Sequence, residues 1–358
     1  MERLELEKLL CENIPQLSGK QVWIWGAGNT AELYFEGLKR LEKEGFLFEG
    51  YIDKAVSKKN KIFNGKPVMD PEMLSGRDNI CVLICTIRPE VIKDIKEQCK
   101  LSGAESWLLD EVILKLHSKE VLGCYDMLLD QRSRDVYSEL VKWRITGNKP
   151  ETSLEDGSQY FCTDCFNRKN PDEVFVDCGA YTGDTIEEYL NQKDGVFHKI
   201  VAFEPDKDSY ARLKKTVEKE CKQRRIPEDR FELYPYGIGE HCSQGKFEHY
   251  GENNGLGSKI VESSPEEESD IQIVSLDEFL TKPYSFLKAD IESYEYQMLL
   301  GAKNGIRKYK PLLAVCIYHN AVDFYSVPLL IKRILPEYKI AVRHHLDDLS
   351  ETVVYAWI

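Results

Sequence analysis

The sequence predicts an α/β protein of two units, each organised on an open parallel sheet, and three observations carry that prediction. Val174-Phe175-Val176-Asp177-Cys178 is a short apolar run that passes into the glycine-bearing turn Gly179-Ala180-Tyr181-Thr182-Gly183-Asp184. A helical spacing follows at Thr185, Ile186, Tyr189 and Leu190. Gln21-Val22-Trp23-Ile24-Trp25 followed by Gly26-Ala27-Gly28-Asn29-Thr30-Ala31 repeats the strand, turn and helix near the start of the chain. Finally, 358 residues are too many for one ordinary core, so two domains are expected. Strands alternating with helices in both halves make each half Rossmann-like.

Composition narrows the function classes. Apolar residues at 42% with charged residues at 30% describe a soluble globular chain, and the net charge of −13 lacks the clustered lysine and arginine that phosphate neutralisation needs. Nucleic acid is therefore excluded as an expected partner. No stretch approaches the roughly 18 uninterrupted apolar residues of a membrane span, and Met1-Glu2-Arg3-Leu4-Glu5 has no signal-peptide core, so the expectation is a cytoplasmic protein without membrane contact. Eleven cysteines, odd in number and scattered, fit reduced buried thiols better than a disulfide framework. The one compact pair, Cys162-Thr163-Asp164-Cys165, has no second pair to complete a zinc set, and no metal is assigned.

In the front domain, residues 1–115, an amphipathic helix is read over 1–18 with Leu4, Leu6, Leu9 and Leu10 on one side, closed by Pro15 and Ser18-Gly19. After the strand and the turn at Gly26 and Gly28, one helix carries Ala31, Leu33, Tyr34 and Leu38. The strand Phe48–Asp53 ends in an acid about 25 residues past the first glycine. With no carboxylate inside the turn, that helix start is open to phosphate, and Asp53 is placed for ribose hydroxyls. The competing reading is structural, because the same turn is frequent in domains that bind nothing. Ile80–Thr86 is a buried parallel strand, Pro89–Cys99 a helix, and Trp107-Leu108-Leu109 closes the sheet. Residues 116–170 form a helical connector, with helical spacing from Val121 to Arg144, a break at Gly147-Asn148-Lys149-Pro150 and a polar loop Glu151–Gly157 placed to cover the second crevice.

Residues 171–358 make the second domain. Lys199–Phe203 is a strand that delivers Glu204-Pro205-Asp206 at its carboxyl end, Ser209–Arg225 a helix, and Phe231–Tyr236 a third strand followed by Gly237. Lys246–Tyr250 and Ile271–Val274 alternate like half-exposed strands around a loop at Gly251–Ser258, and the acidic run Glu262–Asp270 reads as solvated. In Phe286–Glu292 strand alternation puts Lys288, Asp290 and Glu292 on one side. Ionised groups there cost several kcal/mol, to order of magnitude, unless paired or at the wet strand end. Leu312–Asn320 brings His319 to the same rim, where an imidazole is suited to receive a hydroxyl proton, or alternatively to cap a helix beginning near Tyr325. Tyr338–His345 and Thr352–Ile358 form a closing hairpin, with one of His344 and His345 able to face a substrate.

In an open parallel sheet Glu204 falls beside the turn after Val174–Cys178, at hydrogen-bonding distance from a bound ribose. Asp177 and Asp184 bracket that turn with carboxylates, which repel a pyrophosphate and favour S-adenosylmethionine, a phosphate-free adenosine with a sulfonium and an ammonium group. The plainer reading is that Asp184 caps the helix and Asp177 ends the strand.

From about Asp172 to Ile358 the chain resembles the FkbM family of S-adenosylmethionine-dependent methyltransferases. The resemblance rests on Val176–Asp184, Ala202-Phe203-Glu204-Pro205-Asp206, Ser275-Leu276-Asp277-Glu278-Phe279, Leu287–Glu292 and Ile317-Tyr318-His319, in that order. It departs at Glu292-Ser293, where the family usually has Glu-Gly, which predicts a less tight turn. The resemblance implies a class I methyltransferase fold ending in a reversed strand. It implies a cofactor site of Asp177, Gly179, Ala180, Tyr181, Gly183, Asp184, Glu204, Tyr236 and Gly237, with Asp290, His319, Lys288 and Glu292 serving catalysis. It further implies O-methylation of a sugar or natural-product hydroxyl, with a small molecule or glycan as acceptor, and leaves homo-oligomer formation open. Residues 19–110, with Phe63-Asn64-Gly65-Lys66-Pro67-Val68, resemble the small Rossmann-like domain of sugar-modifying enzymes, which implies a nucleotide or nucleotide sugar at Gly26, Gly28 and Asp53. Two further readings stand beside this one. The first is an assembly protein whose methyltransferase domain is inactive. The second is a nicotinamide-dependent sugar enzyme, for which the front domain lacks a tyrosine-lysine pair.

Overall fold

Two compact units share the chain, interleaved in sequence: Met1–Met127, Arg134–Ser153 and His319–Tyr325 form the first, and Leu128–Ser133, Leu154–Tyr318 and Ser326–Ile358 the second. The structure, a computed structural model, describes residues 1–54, 62–249, 258–263 and 268–358. The stretch read as a helical connector, 116–170, is divided between the units, with 116–127 and 134–153 in the first and 128–133 and 154–170 in the second.

In the first unit, α1 (Arg3–Cys11) is shorter than the helix read over 1–18. It stops where Asn13 turns to φ 50° ahead of Pro15, and it buries Leu6 and Leu10 while Leu4 stays exposed. The sheet comprises β1 (Gln21–Trp25), β2 (Gly50–Ile52), β3 (Ile62–Phe63), β4 (Lys66–Met69), β5 (Ile80–Ile84) and β6 (Glu105–Leu108), in the order β3-β4-β2-β1-β5-β6. Every pairing is parallel except β3 with β4, a hairpin turned by Asn64 and Gly65 at φ 48° and 74°, the left-handed pair that such a two-residue turn needs. The strand order reverses at β1. The single helix expected after the first glycine turn is two, α2 (Asn29–Leu33) and α3 (Phe35–Lys43). The break falls at Tyr34, which is buried and donates its hydroxyl hydrogen bond to Asp110. Then come α4 (Pro89–Ser102), α5 (Leu109–Leu116), α6 (Ser118–Met127) and α7 (Gln131–Thr146), whose first residues count with the second unit. Trp23, Trp25, Val82, Ile84 and Ile95 are in the core of this sheet.

The second unit carries α8 (Asp164–Asn167), β7 (Val174–Cys178), α9 (Asp184–Gln192), β8 (Lys199–Phe203), α10 (Lys207–Arg224), β9 (Phe231–Tyr234), β10 (Tyr236–Ile238), β11 (Ser243–His249), β12 (Ser258–Glu262) and β13 (Ile271–Val274). It continues with α11 (Leu276–Phe279), β14 (Phe286–Ala289), α12 (Glu295–Gly301), α13 (Lys303–Tyr309), β15 (Leu312–Cys316), α14 (Ala321–Ile334), β16 (Lys339–His344) and β17 (Thr352–Trp357). Seven strands form the main sheet in the order β16-β17-β15-β14-β7-β8-β9, and β17 runs antiparallel to both of its neighbours, the reversed strand expected at the carboxyl end. This is a class I methyltransferase-like arrangement. On one face Phe175, Tyr189, Phe197 and Phe286 stack into an aromatic core, with Phe175 and Tyr189 face to face at 4.5 Å.

Several expectations need correction. The third strand does not run from Phe231 to Tyr236. Pro235 has no N–H to give a ladder, and at this point the chain leaves the main sheet and enters a second, four-stranded one in the order β10-β13-β11-β12. Ser258–Glu262, read as the end of a loop and the start of a solvated acidic run, is a strand of that small sheet, antiparallel to β11. Tyr250, the loop 251–257 and the acidic residues 264–267 lie outside the described residues. Helix α14 begins at Ala321, earlier than Tyr325, because the Asn320 Oδ1 accepts from the N–H groups of Val322 and Asp323, each at 3.0 Å. Among the described residues no helix is long and apolar enough to cross a membrane.

Candidate active site

The carboxyl ends of β7, β8 and β14 meet at one crevice. Beyond β7 the chain turns sharply, with Gly179 at φ 79°, Tyr181 at φ 44° and Gly183 at φ 89° as the cap of α9. Gly179 has no alternative here: a Cβ at that position would lie 1.9 Å from the carbonyl oxygen of Asp290. That closeness brings the turn and the end of β14 together, and both line a cavity of about 250 Å³. Gly179, Tyr181, Asp184, Glu204, Tyr236 and Gly237 face it, as the sequence places them, together with Lys288, Asp290 and Glu292.

Glu204 follows β8, is buried, and clamps the turn from beneath. Its Oε2 accepts from the N–H of Tyr181 at 2.8 Å and its Oε1 from the N–H of Asp206 at 2.9 Å. Burial pushes this carboxyl up to about 7, against the pull of those two donors toward the charged form. Asp184, the first residue of α9, lies where the positive end of the helix dipole favours a carboxylate.

Three of the sequence's cofactor residues sit elsewhere. Ala180 is fully buried, Gly183 packs against Leu213 and Thr216, and neither lines the cavity. Asp177 is completely buried beneath the turn. Parallel register sets it beside Lys288, whose Nζ lies 3.0 Å from its Oδ1 and donates to the carbonyl of Gly179 at 2.7 Å. Burial pushes Asp177 up to about 6, while Lys288 resists the downward pull of burial because Asp177 and Asp290 hold it above the usual lysine range. Lys288 is 2% exposed and stacks 5.2 Å from the ring of Tyr160, so partnership, and not a wet strand end, is what keeps these charges in the sheet.

At the opposite wall Asp290 is gripped by two phenols: Tyr160 donates to Oδ2 at 2.9 Å and Tyr318 to Oδ1 at 3.1 Å. Sequence reasoning passed over both tyrosines. Tyr318 carried a signal, standing just past β15 two residues from Cys316 on the same strand face, whereas Tyr160, 130 residues from Asp290, carried none. Phe247, Ser258, Lys259 and Ile260 of the small sheet also line the cavity, as do Gln159 and Glu351, which are hydrogen-bonded to each other. His345 is occupied with the carbonyl of Gly157 at 2.8 Å and the hydroxyl of Tyr355 at 2.9 Å, and His344 with Thr352 at 2.8 Å. His319, the sequence's candidate base, is buried and belongs to the first unit with residues 319–325.

At the departure from the expected Glu-Gly, Glu292 and Ser293 adopt φ 54° and 76°, consecutive left-handed residues without a glycine. Such a conformation costs roughly 1–2 kcal/mol per residue.

Residues 177–338 match the model of the methyltransferase FkbM domain. The structure of methyltransferase FkbM from Methylobacillus flagellatus KT is similar over 99% of this chain and 98% of that one, with a TM-score of 0.60 at 18% identity, which shows a shared fold. An rRNA methylase from Streptococcus thermophilus is similar over 52% of this chain and 87% of its own at TM-score 0.32 and 14% identity. SMU.1697c from Streptococcus mutans, in complex with SAH, is similar over 53% and 90% at TM-score 0.32 and 12% identity. No curated protein matches the chain. Within the matched residues lie β7 from Asp177 onward, the whole small sheet, and β14 and β15, which are most of the elements that build the cavity.

In the first unit, Gly26, Gly28 and Asp53 do come together, lining a cavity of about 350 Å³ with Asn29, Thr30, Thr86 and Arg88. Gly26 sits at φ 123° with its Cβ position 2.8 Å from the carbonyl of Cys85, and the Oδ2 of Asp53 accepts from the N–H of Ala27 at 3.0 Å. Asp53 thus ties down the glycine turn, as Glu204 does in the second unit.

Proposed function

We propose that this protein is an S-adenosylmethionine-dependent O-methyltransferase acting on a hydroxyl of a sugar or other small molecule. The observation that carries the reading is the charge of the cavity wall. Asp184, Glu204, Asp290, Glu292 and Glu351 face it, whereas among the described residues its cations are Lys288, paired with Asp177, and Lys259, 3.5 Å from Glu248. A pyrophosphate is repelled by such a wall and a cationic adenosine compound is attracted. S-adenosylmethionine supplies a methyl group activated on a sulfonium cation. Glu204 is the residue to hold the ribose hydroxyls, Tyr236 and Gly237 the adenine side, and Asp184 with the backbone at Gly179 and Tyr181 the amino-acid end. Asp177 and Lys288 position the turn from below. Asp290 and Glu292 remain on the acceptor side, where alignment of the hydroxyl with the methyl is the main catalytic task.

Calorimetric titration with S-adenosylhomocysteine tests this directly. Tight binding, weakened strongly by Glu204→Ala, supports it, and a screen of hydroxyl acceptors for methylation then fixes the class of substrate. A protein that takes NAD in this cavity and ignores S-adenosylhomocysteine sinks it.

For the first unit the same reading gives a nucleotide or nucleotide sugar, supported by the glycine-lined cavity and by Arg88, its one cationic side chain among the described residues. Heat on titration with UDP-sugars, lost in Arg88→Ala, supports that assignment; its absence withdraws it. A cytoplasmic setting belongs to the same reading, supported by the free buried thiols of Cys81, Cys85, Cys178 and Cys316.

A further inference from the structure

The two phenols on Asp290 are not equivalent. Tyr160 is 4% exposed and sits in the aromatic core, its hydroxyl 3.6 Å from the Sγ of Cys316, its N–H donated to the hydroxyl of Tyr355 at 3.1 Å. Tyr318 follows β15, is half-buried, and lines the cavity with its hydroxyl on the other carboxylate oxygen of Asp290. A phenol oxygen accepts as well as donates, so a hydroxyl entering the cavity can donate to Tyr318 while Tyr318 donates to Asp290.

We propose that Tyr318 is a catalytic residue of this site, relaying the proton of the acceptor hydroxyl to Asp290, and that Tyr160 is a positioning residue that fixes Asp290 for the exchange. The proposal rests on the methyl-transfer reading above. In the step, the acceptor oxygen forms its bond to the methyl carbon as the carbon–sulfur bond breaks with both electrons on sulfur. The acceptor's proton passes to the Tyr318 oxygen, and Tyr318's own proton passes to Oδ1 of Asp290. Tyr318 is unchanged at the end, and Asp290, left protonated, loses its proton to water after product leaves. Burial and the neighbouring carboxylates Asp290, Glu292 and Glu351 keep the Tyr318 phenol well above the ordinary tyrosine range, so it holds its proton at rest and cannot act as a phenolate base alone. The terminal acceptor must then be a carboxylate, and Asp290 is in hydrogen-bond contact with the phenol at 3.1 Å.

The test uses the full chain, S-adenosylmethionine and whichever hydroxyl acceptor the wild type methylates. Tyr318→Phe is expected to lower kcat about 100-fold, with the KM for S-adenosylmethionine within about threefold, and to abolish the solvent deuterium isotope effect. Asp290→Asn should show the same loss. Tyr160→Phe is expected to lower kcat about tenfold and to move the acid limb of the pH profile upward, because Asp290 loses a donor that favours its charged form. S-adenosylhomocysteine titrations of each variant establish that the cofactor pocket is intact. Retention of kcat within about threefold in Tyr318→Phe or in Asp290→Asn overturns the relay, and an unmoved acid limb in Tyr160→Phe overturns the positioning role. A wild type that binds no S-adenosylhomocysteine, or methylates no hydroxyl, fails the methyl-transfer reading itself, and the relay with it.

Discussion

The backbone N–H of Tyr181 and the Oε2 of Glu204 lie 2.8 Å apart, so a side chain from the end of β8 holds a strained residue of the turn after β7. The same carboxylate is the one assigned to the ribose. On the proposed function it has one role in the free protein and would take a second with cofactor bound, and its protonation would couple them.

Since Glu204 titrates near 7, affinity for S-adenosylhomocysteine should rise as pH increases through that value, because ribose hydroxyls donate better to the ionised form. Stability of the free protein runs the other way. A carboxyl raised from 4.5 to about 7 stabilises the fold fully below 4.5, and that contribution is lost as pH rises through about 7. Calorimetry and chemical denaturation across this range check both slopes, and a flat affinity profile in the wild type contradicts the assignment.

Gly179→Ala is expected to destabilise the protein by about 2–4 kcal/mol, combining left-handed strain with overpacking against the Asp290 carbonyl. A urea titration reads the cost. A loss below about 0.5 kcal/mol would mean that the turn and β14 part easily.

Lys288→Met leaves Asp177 buried without its partner, and a loss of about 3–5 kcal/mol is expected. The double variant Asp177→Leu with Lys288→Met should regain most of that stability, since apolar residues of similar size remove both desolvation costs. If the double variant is as unstable as the single one, the pair does more than neutralise itself.

Ser293→Gly relieves a left-handed residue and should leave stability equal or higher by about 1 kcal/mol, with methyl transfer within about twofold of wild type. A large gain in turnover would instead show that the serine silences the site, which favours the reading of this chain as an inactive assembly protein.

Much of the glycine-turn side of the cavity was legible because it depends on local chemistry. A glycine turn after an apolar strand and an acid at the end of the next strand dictate where Gly179, Tyr181 and Glu204 meet. Asp177 was legible as a charge but not as a partner: its role depends on register with Lys288 across two strands more than a hundred residues apart, and period-2 alternation gives a face without giving a neighbour. Pro235 could have announced the change of sheet between β9 and β10, since it cannot donate to a ladder, but the apolar run on both sides concealed it. Tyr160 enters from the segment before β7, and only tertiary packing reveals that it reaches Asp290.

The interleaving of the two units bears on inheritance. Residues 128–133 and 319–325 each count with the unit that does not flank them, so a genetic crossover at any single position leaves one fold without a piece of itself. A single-breakpoint chimera is therefore expected to fold less stably than a graft that carries each short segment along with its own unit.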